Sequence, residues 1–117
     1  MSYWVYLQDK KGEKLTVGFH DAEGGIYKLG GSVDAELNIT YNYSPYYYQQ
    51  IDKKNGLRWL DGKKAEDCAK RLERAVKALG TEQNDDYWKP TAGNAGYALS
   101  VLLAWAKECP DGIFIIH

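Results

Sequence analysis

The chain has 117 residues and a formal net charge of −1, and hydrophobic residues make up 44% of it. This size fits one domain with its own core, and the near-zero charge provides no general attraction for nucleic acid or an anionic membrane. We therefore predict a single domain, residues 1–117. The N-terminus lacks a signal-peptide pattern, and no apolar run approaches the roughly 20 residues of a membrane span. We expect a cytoplasmic protein in which Cys68 and Cys109 stay reduced.

The aromatic composition is unusual, because ten tyrosines and four tryptophans stand against two phenylalanines. Tyrosine and tryptophan combine an apolar ring with a polar group, so they suit half-buried surfaces and binding sites. The same residues could instead pack the edges of a small core. The composition alone leaves both interpretations open.

The first half of the chain has the alternating pattern of strands. Turn signals such as Asp9-Lys10-Lys11-Gly12-Glu13 and Gly30-Gly31-Ser32 separate the apolar segments. We predict four antiparallel strands in a meander. They cover Tyr3–Leu7, Lys14–Phe19, Ile26–Leu29 and Ala35–Tyr43.

The second half has the 3.6-residue period of helices. A short helix is predicted from Ser44-Pro45 with Ser44 as its N-cap, and long helices over Lys64–Leu79 and Ala92–Lys107. The apolar run Ile113–Ile116 predicts a strand buried on both faces. We expect an α+β fold, in which a sheet of four to five antiparallel strands has two long helices and one short helix packed mainly on one face. The predicted core contains Ile39, Leu72, Val76, Leu99, Leu102, Leu103 and Ile115.

The segment from Glu36 to Pro45 is the most informative part of the sequence. Alternation places Asn38, Thr40 and Asn42 on one face of the predicted strand, opposite Leu37 and Ile39. A row of amides and a hydroxyl that ends at a tyrosine-rich helix is a candidate polar binding surface, with unpaired helix amides to meet an anionic or carbonyl group. The alternative is a one-sided sheet whose outer face is solvated.

The run Asn38-Ile39-Thr40-Tyr41-Asn42-Tyr43-Ser44-Pro45 resembles the signature of a family of small phage, prophage and bacterial proteins. The similarity continues through Leu60-Asp61-Gly62, Asp86-Tyr87-Trp88 and Cys109-Pro110-Asp111-Gly112, so it spans nearly the whole chain. The resemblance implies no catalytic residue and no cofactor. The occurrence of the family in phages and prophages implies an accessory or host-interaction role.

Two further features are candidates for ligand contact. Asn84-Asp85-Asp86-Tyr87-Trp88 is an acidic-aromatic loop that offers carboxylates and a stacking ring as a binding surface. The favoured alternative is structural, with Asp85 or Asp86 in a turn and Trp88 packed on the core. Arg58 follows a Lys-Lys-Asn-Gly turn and is the basic residue best placed for an anionic ligand.

Several common functions have no support in the sequence. His20 and His117 belong to no metal-binding spacing, and no glycine-rich phosphate-binding pattern is present. Nine basic and five acidic residues lie between Asp52 and Lys77, but acidic residues interrupt the stripe formed by Lys63, Lys70, Arg74 and Lys77. We therefore expect a solvated helix face there, no metal or cofactor, and no nucleic-acid partner.

These observations favour a non-enzymatic protein that captures either a small polar ligand, with nucleotide-like molecules included, or a host protein, for example to counter a host defence. The alternatives are a small enzyme acting on a nucleotide-like or sugar-like substrate with Asp86 as general base, and a self-associating structural domain. The predicted ligand-binding residues are Asn38, Thr40, Asn42, Tyr43, Tyr46, Tyr47, Arg58, Asp86 and Trp88.

Overall fold

The computed structural model describes residues 1–17, 26–28 and 35–117. Its strands are β1 (Ser2–Gln8), β2 (Ile26–Lys28), β3 (Glu36–Thr40) and β4 (Ile113–Ile116). Its helices are α1 (Ser44–Gln50), α2 (Ala65–Leu79) and α3 (Ala92–Glu108), and short 3₁₀ helices cover Tyr41–Tyr43 and Gly56–Leu60.

Strand β1 lies between β3 and β4 and pairs antiparallel with both, so the sheet order is β2-β3-β1-β4. Tyr3, Val5 and Leu7 of β1 are buried, whereas Trp4 between them is exposed. This alternation follows from the two-residue period of a strand. It directs the apolar residues of β1 into the core that the sheet shares with the helices.

The predicted sheet of four to five strands in a meander is wrong. Within the described ranges the sheet has three antiparallel strands of four or more residues, β1, β3 and β4, and β2 adds only a three-residue segment at one edge. The described part of the predicted strand Lys14–Phe19 forms isolated bonds instead, a bridge from Lys14 to Gln8 and a bond from Ala35 to Leu15. Gly18, Phe19, the turn glycines 24–25 and 30–31, and Leu29 lie outside the described residues.

The two long helices lie where the sequence predicts them, and the class is α+β. Lys64 is the N-cap residue of α2, and the Thr91 hydroxyl caps α3 by accepting a hydrogen bond from the Asn94 amide. In the described part of the chain, no helix combines the length and the apolarity needed to cross a lipid bilayer.

Most of the predicted core is buried in a single cluster, including Ile39, Leu72 and Leu99. Val76 and Ile115 are only half-buried, so their predicted full burial is wrong. Ile115 shows why: β4 buries Phe114 and Ile116 on one face and leaves its other face partly accessible. An apolar run of four residues does not by itself reveal whether both faces of a strand are covered.

The C-terminal end of α2 packs closely against a glycine of α3. Gly80 ends α2 with a φ of 77°, a conformation that residues with a side chain rarely adopt. A Cβ atom added at Gly96 of α3 would lie 1.8 Å from the carbonyl oxygen of Gly80. This close approach fixes where the segment between the two helices begins.

The outer edge of β4 is covered by the chain that leads into α2. The Gly62 amide donates to the Phe114 carbonyl at 2.7 Å, and the Phe114 amide donates to the Lys63 carbonyl at 3.0 Å. The Asp61 carboxylate accepts from the Ile116 amide at 2.9 Å. An edge that is otherwise open to another strand is therefore occupied.

We predict that Leu99→Ala lowers the free energy of unfolding by about 2–5 kcal/mol, because truncation of a fully buried leucine removes apolar contacts and leaves a cavity. Chemical denaturation measures this loss, with Lys107→Ala on the exposed face of α3 as the control. Unchanged denaturation midpoints in both variants would contradict the orientation of α3.

Candidate binding site

Strand β3 ends at Thr40, so the predicted strand Ala35–Tyr43 is too long. The Thr40 hydroxyl accepts a hydrogen bond from the Asn42 amide at 3.2 Å, and residues 41–43 form one turn of 3₁₀ helix. Threonine and asparagine side chains favour such local bonds over strand pairing. Asn42 therefore does not continue the face of Asn38 and Thr40, and the predicted three-residue polar row is wrong.

The remaining polar face of β3 is largely occupied by contacts within the protein. Glu36 is buried, forms an ion pair with Lys14, and accepts a hydrogen bond from the Trp4 indole at 3.1 Å. Thr40 is also buried, and Asn38 between them is half-buried. Protein groups and not open solvent thus surround both ends of this face.

Four side-chain hydrogen bonds connect the segment 42–47 to the segment 87–95. Each is a side-chain donor on a backbone carbonyl: Asn42 on Trp88 at 2.7 Å, Tyr43 on Tyr87 at 2.5 Å, Tyr46 on Pro90 at 3.1 Å, and Tyr47 on Ala95 at 3.0 Å. We call these four donors the tyrosine brace. Backbone carbonyls in a packed loop require partners. Asn42, Tyr43 and Tyr46 supply them in the loop, and Tyr47 attaches the same segment to α3.

The structure thus brings Asn42, Tyr43, Tyr46 and Tyr47 together with Asp86 and Trp88, two segments about forty residues apart in the sequence. Thr40 is next to this group through its bond to Asn42. Asn38 lies in the middle of β3 and is not among the described residues that hydrogen-bond to the loop.

Arg58 is exposed and contacts two aromatic residues outside the tyrosine brace. Its guanidinium lies 4.9 Å from the centre of the Tyr3 ring and donates to the Tyr41 hydroxyl at 3.3 Å. Tyr41 in turn meets Tyr3 edge to face, with ring centres 4.6 Å apart. Arg58 therefore contacts the aromatic residues beside the brace and not the loop itself.

Ser44 is not the N-cap that the sequence predicts. It is the first residue of α1, Tyr43 precedes it as the N-cap without a side-chain cap bond, and the Ser44 hydroxyl is 2.7 Å from the Tyr3 hydroxyl. Helix α1 has only seven residues. Binding of an anionic group at its first amides remains an untested prediction.

Asn94 holds the loop from inside, and the sequence analysis missed it. Its side chain is buried, accepts from the Asn84 amide at 2.9 Å, and donates to the carbonyls of Asp86 at 3.2 Å and Lys89 at 2.9 Å. The available signal was a lone amide three residues after the capping Thr91, in a helix that is otherwise strongly apolar. A buried amide at such a position requires partners.

The loop that these contacts hold, residues 84–90, is called the acidic loop below. Asn84 and Asp86 form side-chain turns, because the Asn84 side chain accepts from the Asp86 amide at 2.9 Å and the Asp86 carboxylate accepts from the Trp88 amide at 3.2 Å. Trp88 nevertheless exposes 54% of its surface. The alternative in which Trp88 packs down on the core is therefore wrong.

A cavity of about 360 Å³ opens beside the acidic loop, and its walls include Glu82, Asn84 and Thr91. Asp85 and Asp86 are exposed on the loop itself. The surface around the loop thus combines one projecting indole with several carboxylates.

The buried tyrosines of the brace are hydrogen-bond donors at neutral pH. Burial, with a contribution from the charge of Asp86, raises the pKa of Tyr43 to about 12. Burial also raises the pKa of Tyr47 well above its ordinary value, and burial raises the pKa of Cys68 to about 11. These groups are protonated at neutral pH, so they do not provide an ionised nucleophile.

Both cysteines are free thiols in the structure. Among residues 1–17, 26–28 and 35–117, no group of three or more histidine, cysteine, aspartate or glutamate side chains is placed to hold a metal ion. His20 and its acidic neighbours lie outside the described residues.

We predict that Tyr43→Phe and Tyr47→Phe each lower the free energy of unfolding by about 1–3 kcal/mol, because each removes a hydrogen bond from a buried hydroxyl to a carbonyl of the loop or of α3. Tyr48→Phe is the matched control, since Tyr48 is exposed and its hydroxyl has no protein partner within the described ranges. Equal stability of all three variants would show that the brace does not hold the loop.

We predict that the stability advantage of the wild type over Tyr43→Phe shrinks as the pH rises from 10 to 12. The Tyr43 hydroxyl loses its proton near pH 10 in the unfolded chain and near 12 in the folded one. Its contribution is therefore complete below pH 10 and is lost above it. Urea denaturation of both proteins across this range tests the effect, and a constant difference would contradict it.

Comparison with known proteins does not assign the chain to a family. No protein-family model, curated protein sequence or solved structure matches the chain significantly. The resemblance to phage and prophage proteins stays a prediction from the sequence.

Proposed function

We propose that this is a non-enzymatic binding protein that holds a basic segment of a protein partner against the acidic loop. The observation that carries the proposal is the combination of an exposed Trp88 with a backbone that is fixed on two sides. The tyrosine brace holds the loop from one side and Asn94 from the other.

A fixed loop is suited to binding, because less conformational freedom is lost when the partner arrives. Tryptophan is also among the residues that contribute most to binding energy at protein interfaces. A solvent-exposed indole that is rigidly presented is therefore a better candidate contact than a tryptophan on a mobile chain.

The partner is expected to present arginine. A guanidinium can stack on the Trp88 ring while it forms charge-assisted hydrogen bonds with Asp85 or Asp86. The cavity beside the loop has Glu82 in its wall, so it can receive a second basic side chain. A small polar ligand is less favoured, since the hydroxyls of the brace already donate to backbone carbonyls.

The resemblance to phage and prophage proteins supports a host protein as the partner, and countering a host defence is one role for such capture. Catalysis with Asp86 as general base has less support. The Asp86 carboxylate is engaged by the Trp88 amide and shapes the turn.

We predict that Trp88→Ala and Asp86→Asn each weaken binding of a hexa-arginine peptide by about fivefold or more, because each removes a stacking or charge-assisted contact. Isothermal titration gives the affinities, and nuclear magnetic resonance identifies the residues whose signals shift. Thermal melting checks that the variants stay folded, as expected for exposed side chains.

The controls are Trp4→Ala, which removes an indole exposed by 43% on the sheet, and Glu13→Gln, which removes an exposed carboxylate elsewhere. Both are expected to bind the peptide as the wild type does. If Glu13→Gln weakens binding as much as Asp86→Asn does, the peptide recognises overall charge and the acidic loop is not the site. If Trp4→Ala weakens binding as much as Trp88→Ala does, the exposed indole of the loop is not the specific contact.

A further inference from the structure

One face of α2 forms a basic groove that the acidic loop does not share. Two adjoining cavities, of about 310 and 300 Å³, run along this face. Lys70 and Arg74 line both cavities, so the two lie side by side along the helix. We call the pair the α2 groove, and its lining residues are Trp59, Asp67, Lys70, Arg71, Glu73, Arg74 and Lys77.

The helical period explains why these side chains converge. Positions 67, 70, 71, 74 and 77 are separated by three or four residues, so they lie along one side of the helix. Four of the lining residues are basic and two are acidic. The groove is therefore net positive in a protein whose net charge is −1.

The two central cations of the α2 groove are available to a ligand. Lys70 and Arg74 are exposed, and neither has an ion-pair partner within 4.0 Å in the described part of the chain. Lys77 does pair with Glu73, at 4.0 Å. Exposed pairs of this kind contribute little to stability, so an anion can compete for Lys77 at small cost.

Trp59 forms the wall at the other end of the groove, and cations already occupy its ring. The Arg71 guanidinium lies 3.8 Å from the ring centre and the Lys63 ammonium 4.4 Å. Arg71 is held further by a hydrogen bond to the Ile51 carbonyl at 3.2 Å. Arg71 also forms an ion pair with Asp52 at 3.9 Å, so its charge is partly compensated. The positive charge that is open to a ligand is therefore that of Lys70 and Arg74, beside the wall that Trp59 and Arg71 form.

From this arrangement we infer that the α2 groove binds a compact, multiply charged phosphate group, such as a diphosphate or triphosphate. Lys70 to Lys77 spans about 10 Å along the helix axis, a length suited to a few linked phosphates. Single-stranded nucleic acid would need an aromatic face for its bases, and cations cover the Trp59 ring. Asp67 and Glu73 also oppose a long phosphate backbone along the groove.

The test uses the full chain and inorganic pyrophosphate and tripolyphosphate as probes. Binding should shift the indole signal of Trp59 and the amide signals of residues 67–77 in nuclear magnetic resonance spectra. The double variant Lys70→Gln, Arg74→Gln should weaken pyrophosphate binding by about tenfold or more, because it removes two charge-assisted contacts. Arg74→Lys alone should retain most of the affinity.

The matched control is Lys10→Gln, Lys107→Gln, which removes the same charge from exposed positions elsewhere and should change the affinity less than about twofold. Equal weakening in both double variants would overturn the site in favour of general charge attraction. No shift at roughly 10 mM pyrophosphate would overturn it as well, since even a weak site with a Kd of about 1 mM would be mostly occupied at that concentration. Tighter binding of oligothymidines, increasing with their length, would replace the compact phosphate with nucleic acid.

Discussion

The need to satisfy the backbone of the segment between α2 and α3 is the constraint on which the rest of the surface depends. Asn94 accepts one amide hydrogen of this segment and donates to two of its carbonyls, all from a buried position. A buried amide that lost these partners would be costly. The first turn of α3, the acidic loop and the brace are therefore parts of one hydrogen-bonded unit.

The same constraint explains why positions 43 and 47 carry tyrosine and not phenylalanine. Tyr43 and Tyr47 are as buried as core residues, yet each carries a hydroxyl that ends on a carbonyl of the opposite segment. The ring provides apolar contact and the hydroxyl provides direction, which phenylalanine cannot do. Of the two interpretations of the tyrosine content, core packing describes these two residues better, and the ligand contact that we propose is Trp88.

The sequence was sufficient to place α2 and α3, from their helical period, and β4, from its apolar run, but it did not show that only one face of β4 is buried. It was insufficient for the end of β3, where the local bond from the Asn42 amide to Thr40 overrides the strand pattern. It also predicted a strand from Lys14 that the described residues do not form. Whether Lys14 to Val17 pairs along a strand depends on partners far away in the chain. For the candidate site, the sequence indicated both the tyrosine-rich and the acidic-aromatic segments. It could not reveal that the first supports the second, because that relation requires the tertiary contact.

The covered edge of β4 restricts how this molecule can meet other chains. Many proteins recognise an extended peptide by adding it as a further strand to an open sheet. Here a peptide strand added at β4 would have to displace the amide of Gly62, the carbonyl of Lys63 and the carboxylate of Asp61 from the hydrogen bonds that they already form. At this edge, recognition by strand addition is closed, and so is the first step of stacking into cross-β aggregates. At this edge, contacts with other molecules are thereby directed to side chains, which discriminate between partners more sharply than a backbone common to all proteins.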